Sequence, residues 1–330
     1  MADEEVPKDE TAVNETEIVD WLKDRAVILK SIIPQEDQKD LVPLKEIIGS
    51  SQVVGLGEAT HGNKEFFQMK HRLIKFLVEE MGFDTVVMEC PEEKAKNIDR
   101  YIKSGEKSQN GVLNDLTYEV WRTQEILDLI NWLREFNGKS DRKVSFVGCD
   151  VNDQTGMTGL ERDQIMAENV LRTLDENPDS KMALWAHNAH VSYADTAEFR
   201  ALGKNLKDKL GDKYMCLGML FNQGSLSARM GNFETGVFEQ QRTQASLKPA
   251  PDGTYEHLFH QTGIPLAIID LRSARSGELF SSWRKNNYSV REVGWAYDPE
   301  HEDYLLNKVD LAEAFDGVVW IDKVSHSTAL

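Results

Sequence analysis

The chain has 330 residues, 56 Asp and Glu against 38 Lys and Arg, and a formal net charge of -18. That balance excludes a surface built to hold a phosphate backbone, which needs a basic face, and it disfavours docking on anionic lipid, so neither nucleic acid nor a membrane is an expected partner. No apolar run approaches the roughly 20 residues that cross a bilayer. The first residues have neither the basic nor the apolar region of a secretory signal. Three cysteines, Cys90, Cys149 and Cys216, make no disulfide framework, and the expected location is the cytoplasm.

Residues 1–14 are acidic and nearly free of large apolar side chains, and are expected to form a disordered tail. Residues 15–330 show no repeat and no low-complexity linker and are read as one α/β domain. A helical pattern begins at Glu15, with Ile18, Val19, Trp21, Leu22, Val27 and Ile28 at helical spacing. Short apolar runs then alternate with amphipathic stretches. The runs are Val53–Gly57, Thr85–Met88, Val144–Gly148, Met182–Ala186, Tyr214–Gly218, Leu266–Ile269 and Val318–Ile321, each of the length of a strand buried on both faces. A helix is expected from about Lys64 to Met81, with Asn63 as N-cap, Gly82 as C-cap and an apolar stripe of Phe66, Phe67, Leu73, Ile74, Leu77, Val78 and Met81. Further helices carry Ile126 to Phe136 and Ile165 to Leu174. This alternation predicts a largely parallel central sheet with helices on both faces and a cleft at the carboxyl edge of its strands.

The chemistry lies in the residues just past each run. The first strand leads to Glu58 and His61, the second ends in Glu89, the third in Asp150, and the fourth in His187 with His190 close behind. Four successive strands thus deliver acids or imidazoles to the edge where ligands bind in open α/β sheets. The chain has no Gly-x-Ser-x-Gly elbow for a nucleophilic serine and no Walker A motif. Cys90 and Cys149 lie beside carboxylates, which raise a thiol's pKa, so inert buried cysteines are expected. What remains is histidine with carboxylates. One imidazole can act as general base on water, a carboxylate on its other nitrogen can fix the tautomer, and a second histidine can donate to the oxyanion. The same donor types also suit zinc or manganese. A buried Glu89 needs a partner, and His61 is the expected one. Asp150 is expected to pair with Arg162-Asp163. Trp121, Arg122 and Glu125 precede a helix, the tryptophan as core or cleft wall. His260 is a secondary cleft candidate. His71, between Lys70 and Arg72, is read as lying on a solvated helix face.

The segments Gly57-Glu58-Ala59-Thr60-His61-Gly62 and Trp185-Ala186-His187-Asn188-Ala189-His190 are specific in combination. With Val87-Met88-Glu89-Cys90, Trp121-Arg122-Thr123-Gln124-Glu125, Gly148-Cys149-Asp150 and Arg162-Asp163, they resemble the erythromycin esterase family over about residues 45 to 322. The resemblance implies cofactor-free, metal-independent hydrolysis of a small-molecule ester or lactone by histidine-activated water. The family's base falls on His61, its supporting glutamate on Glu89 with Glu58 a further partner, and its second histidine on His187 or His190. Trp121, Arg122, Glu125, Asp150, Asp163 and His260 would contact substrate. The chain departs from the family in passing from Asp150 to Arg162 through the short loop Val151–Glu161, where a long helical segment is expected. That departure implies an open, shallow cleft and weak or absent macrolide turnover. A ligand-binding relative without turnover and a metal-dependent hydrolase are the alternative readings.

Overall fold

A computed structural model describes residues 15–104, 111–112, 118–276, 283–284 and 286–330. The acidic stretch 1–14, expected to be a disordered tail, lies outside the described residues. The strands are β1 (Ala26–Ile28), β2 (Val53–Leu56), β3 (Thr85–Pro91), β4 (Ser145–Asp150), β5 (Met182–Trp185) and β6 (Tyr214–Asn232). They continue with β7 (Val237–Leu247), β8 (Leu266–Asp270), β9 (Ser289–Arg291), β10 (Ala296–Tyr297), β11 (Leu306–Lys308) and β12 (Gly317–Val324). All but β9 and β11 share one sheet, in the order β1-β8-β12-β6-β2-β5-β3-β4, with β7 and β10 on the far half of β6. From β12 through β4 every neighbouring pair is parallel, whereas β1 and β8 run antiparallel at one margin. Val27 and Ile28, expected in the first helix, lie instead in β1, because that helix ends at Arg25 and the chain then pairs with β8.

Strand residues alternate between two cores, as the period of two demands. Val54, Leu56, Val86, Met88, Ala183 and Trp185 pack on helices Lys64–Met81, Glu92–Ser104 and Gln124–Lys139. Val53, Val87, Met182 and Leu184 pack on helices Glu15–Arg25, Gly159–Glu176, Leu202–Leu210 and Tyr255–Gln261. Both faces of the sheet are therefore covered, which explains why the strands read as continuous apolar runs.

The chain leaves β2 and β3 toward the first face and β4 and β5 toward the second. In the sheet these strands stand as β2-β5-β3-β4, so each neighbouring pair sends its loops to opposite faces. A crevice must open between such loops at the carboxyl edge. Among the described residues no helix is long and apolar enough to cross a membrane.

Candidate active site

The loop Gly57–Asn63 is held on every side by backbone bonds. Gly57 N donates to Leu217 O at 2.8 Å, Val293 N to Ala59 O at 2.7 Å, His61 N to Gly294 O at 3.0 Å, and Ser227 N to Gly62 O at 2.8 Å. Asn63 then caps helix Lys64–Met81 by accepting from Phe66 N at 2.9 Å, and Gly82 ends the helix in the left-handed conformation. The bracing fixes His61 at the wall of a cleft of about 590 Å³, which Glu89, Trp121, His187 and His190 also line. A larger hollow of about 720 Å³ runs along the outer edge of β4, but it contains no histidine and its Lys103 and Arg172 are paired to Asp99 and Glu92.

His61 Nδ1 lies 2.8 Å from Glu58 Oε1, and Glu58 Oε2 lies 2.7 Å from Lys70 Nζ. Glu58 and Lys70 are fully buried, and Lys70 also donates to Ala186 O at 3.0 Å. Burial pushes the Lys70 ammonium down to about 8 against the pull of Glu58. An acceptor on Nδ1 fixes that nitrogen's proton and makes Nε2 the basic one. The His61 ring is clamped between Trp121 and His187, each with its centroid 5.0 Å away.

The direct partner of His61 is thus Glu58, and the expected contact with Glu89 is replaced by another set. Glu89 Oε1 takes Arg162 Nη2 at 2.9 Å and faces His190 Nε2 at 3.3 Å, while Oε2 accepts the backbone N–H of His187 at 3.0 Å. Burial alone would raise this carboxyl, but His190, His61 and Arg162 outweigh it and hold it well below the usual range. His190 Nδ1 sits 2.6 Å from Asp163 Oδ1. Burial disfavours its charge, yet Glu89 and Asp163 together lift the imidazole to about 10. Asp150 accepts from both Nε and Nη2 of Arg162 at 3.0 and 2.7 Å, which closes the short loop after β4 as expected. Tyr118 adds a bond to Asp150 at 2.8 Å.

His187 differs from His190. Its Nδ1 accepts from Ala189 N at 3.2 Å as the cap of the short helix Asn188–Val191, so the proton of its neutral form belongs on Nε2. Burial first, and His61 second, push it well below the usual imidazole range. Glu292 Oε2 stands 3.4 Å from that Nε2, and Asn188 Nδ2 holds the other Glu292 oxygen at 3.0 Å. Among the described residues no group of three or more His, Cys, Asp or Glu is arranged to hold a metal ion.

Of the candidates read from the sequence, His61, Glu89, His187, His190, Trp121 and Arg122 line the cleft. Glu58, Asp150 and Asp163 stand behind it as buried partners, and Asp163 also caps helix Leu202–Leu210 by accepting from Leu202 N at 3.0 Å. Two lie elsewhere. Glu125 is spent on the backbone of Thr328, and His260 pairs with Asp322 at 2.7 Å outside the cleft. The reading of His71 is corrected as well: it is buried, with its ring 5.7 Å from Trp132 and its pKa pushed down to about 3 by burial. Lys70 is not among the candidates, although the sequence carries a signal for it. It interrupts the apolar stripe Phe66, Phe67, Ile74, Leu77, and a charge in such a stripe needs a buried partner. Glu292, Arg229 and Arg242 lie in polar stretches without a periodic signal.

The sequence profile of the erythromycin esterase family matches residues 78–158 and 152–324. The chain belongs to the erythromycin esterase family. It is 33% identical over 132 residues to the erythromycin esterase type II of Escherichia coli, a match covering 40% of this chain and 31% of that protein. It is 32% identical over 229 residues to a putative hydrolase of Bacillus subtilis, covering 64% and 50%. The chain therefore spans between about a third and a half of the length of these relatives. Among solved structures it matches a Bacillus cereus protein with a TM-score of 0.77 at 24% identity, covering 96% of this chain and 100% of that one. It matches a mutant of the erythromycin esterase EreC in its open conformation with a TM-score of 0.66 at 14% identity, covering 89% and 96%. These likenesses establish that the sheet and its helices are the erythromycin esterase fold.

Proposed function

We propose that the protein hydrolyses a carboxylic ester or lactone with water activated by His61. The observation that carries this reading is the buried line Lys70–Glu58–His61, which ends in an imidazole at the cleft wall. Glu58 holds the proton on Nδ1, Nε2 takes a proton from water, and the hydroxide attacks the carbonyl carbon. His187 supplies the oxyanion donor, because the Nε2 that carries its ring proton makes no hydrogen bond, with Glu292 Oε2 standing off at 3.4 Å, while Asp163, Glu89 and Arg162 take both nitrogens of His190. Protonated His61 then returns its proton to the leaving alkoxide. Glu89 is a positioning residue that ties Arg162, His190 and the His187 backbone together. A small ester suits this cleft better than a macrolide, because only the short loop of residues 151–158 joins β4 to the next helix on that side.

The test is hydrolysis of 4-nitrophenyl esters and of a macrolide lactone by the intact chain and by His61→Asn, Glu58→Gln and Glu89→Gln. His61→Asn and Glu58→Gln are expected to lower kcat by roughly 10²- to 10⁴-fold. Equal rates in His61→Asn and the parent would overturn the mechanism.

A further inference from the structure

The hairpin of β6 and β7 puts Arg229 directly opposite Arg242. Directly opposed residues of an antiparallel pair share a face with Cβ atoms about 5 Å apart, and like charges there are destabilising. Both arginines line the cleft that holds His61. In a chain of net charge -18 such a pair does not arise from overall composition. Glu119 neutralises Arg229 at 2.9 Å. Arg162, another cation of the cleft, is already matched by Glu89 and Asp150. Arg242 has no carboxylate within 4.0 Å among the described residues. Its Nη2 donates to His61 O at 2.8 Å and to Ser227 O, while its Nε is buried without an acceptor.

We propose that the cleft selects an anionic ester, one whose acyl group carries a second, ionised carboxylate that seats on Arg242 beside Arg229. This rests on the ester-hydrolase reading and names the substrate class for the same site. A guanidinium offers a planar fork of donors that matches a carboxylate. With Nη2 bonded to the His61 backbone and Nε buried, Nη1 is the Arg242 donor left for a carboxylate, and an anion held there places the rest of the acyl group near His61. The bound anion also relieves the repulsion between the two arginines. Burial, and to a lesser degree Arg229, push the Arg242 guanidinium down to about 10 against the pull of Glu119, which leaves it a cation at neutral pH.

The experiment compares 4-nitrophenyl 4-carboxybenzoate with 4-nitrophenyl 4-methylbenzoate, whose para groups cannot reach the reacting carbonyl. The intact chain is expected to favour the carboxylated ester at least about tenfold in kcat/KM, chiefly through KM. Arg242→Gln should bring that ratio close to one, and Arg242→Lys should restore part of it. Hydrolysis of both esters at equal efficiency, or a ratio unmoved by Arg242→Gln, would overturn the anionic-substrate inference while leaving the hydrolase reading intact. If neither ester turns over, the hydrolase reading is what fails. Calorimetry with 4-carboxybenzamide and 4-methylbenzamide then decides the inference: binding of the former alone, lost in Arg242→Gln, sustains it, and equal or absent binding of both rejects it.

Discussion

His190 is gripped by two carboxylates, and its titration is therefore coupled to folding. Its pKa rises from 6.5 in an exposed chain to about 10 in the fold. The stabilisation this provides is complete below pH 6.5 and is lost as pH climbs through 10. Glu89 contributes with the opposite dependence: its carboxyl is depressed, so its stabilisation holds above about pH 4.5 and fades as pH falls below that. The melting temperature is expected to decline between pH 6.5 and 10, and His190→Gln should flatten the decline. Lys70 works in the reverse sense between about 8 and 10.5, since there the unfolded state holds the extra proton. The difference between the two melting curves, not either curve alone, thus reports His190. Equal slopes in parent and variant would contradict the assignment. At this scale the sequence showed which residue types gather, but not their pairing. Glu58 and Glu89 both end apolar strands, and the choice between them turned on Lys70 and Arg162, which come from helices on opposite faces of the sheet. No spacing along the chain carries that information.

Elements were more legible than residues. The helix Lys64–Met81, with its Asn63 and Gly82 caps, forms as read, and each apolar run lies within or overlaps a strand of the central sheet. The reason is physical: strands buried on both faces must be continuously apolar, and a helix packed on one side must be striped. The hairpin of β6 and β7 leaves no apolar run in the sequence because β7 is mostly polar and mostly exposed, and gains its order from pairing with β6 rather than from burial. Gly62 shows why the loop and that hairpin act together. A methyl group on Gly62 would come within 2.2 Å of Ser227 O, a backbone atom that cannot move away cheaply. Gly62→Ala is expected to cost on the order of 1–3 kcal/mol in urea unfolding and to displace His61 enough to suppress hydrolysis. Unchanged stability and activity would show that the close approach is not required.

Across the whole molecule, residues 325–330 tie together two loops of the cleft that come from distant parts of the chain. Lys64 N donates to Ser325 O at 2.9 Å, Ser327 N to Gly62 O at 2.9 Å, and Gln124 N to Thr328 O at 2.9 Å. Leu330 N reaches Arg122 O at 3.2 Å. One short segment therefore clasps both the His61 loop and the Trp121–Arg122 wall. Deleting residues 325–330 is expected to speed hydrogen exchange at the Lys64 and Gln124 amides and to reduce hydrolysis further than the drop in melting temperature alone would. Protection at both amides equal to that of the full chain would argue against the clasp.

The same clasp has a consequence for the order of synthesis. A ribosome makes Glu58, His61 and Lys70 well before Ser227, Val293, Ser325 and Ser327, which brace their loop. A nascent chain can hold every group the chemistry needs and still lack the backbone bonds that set the imidazole in place. Competence would then wait until synthesis has passed Ser327, and chains terminated before that point would be inert even where most of their sheet had assembled.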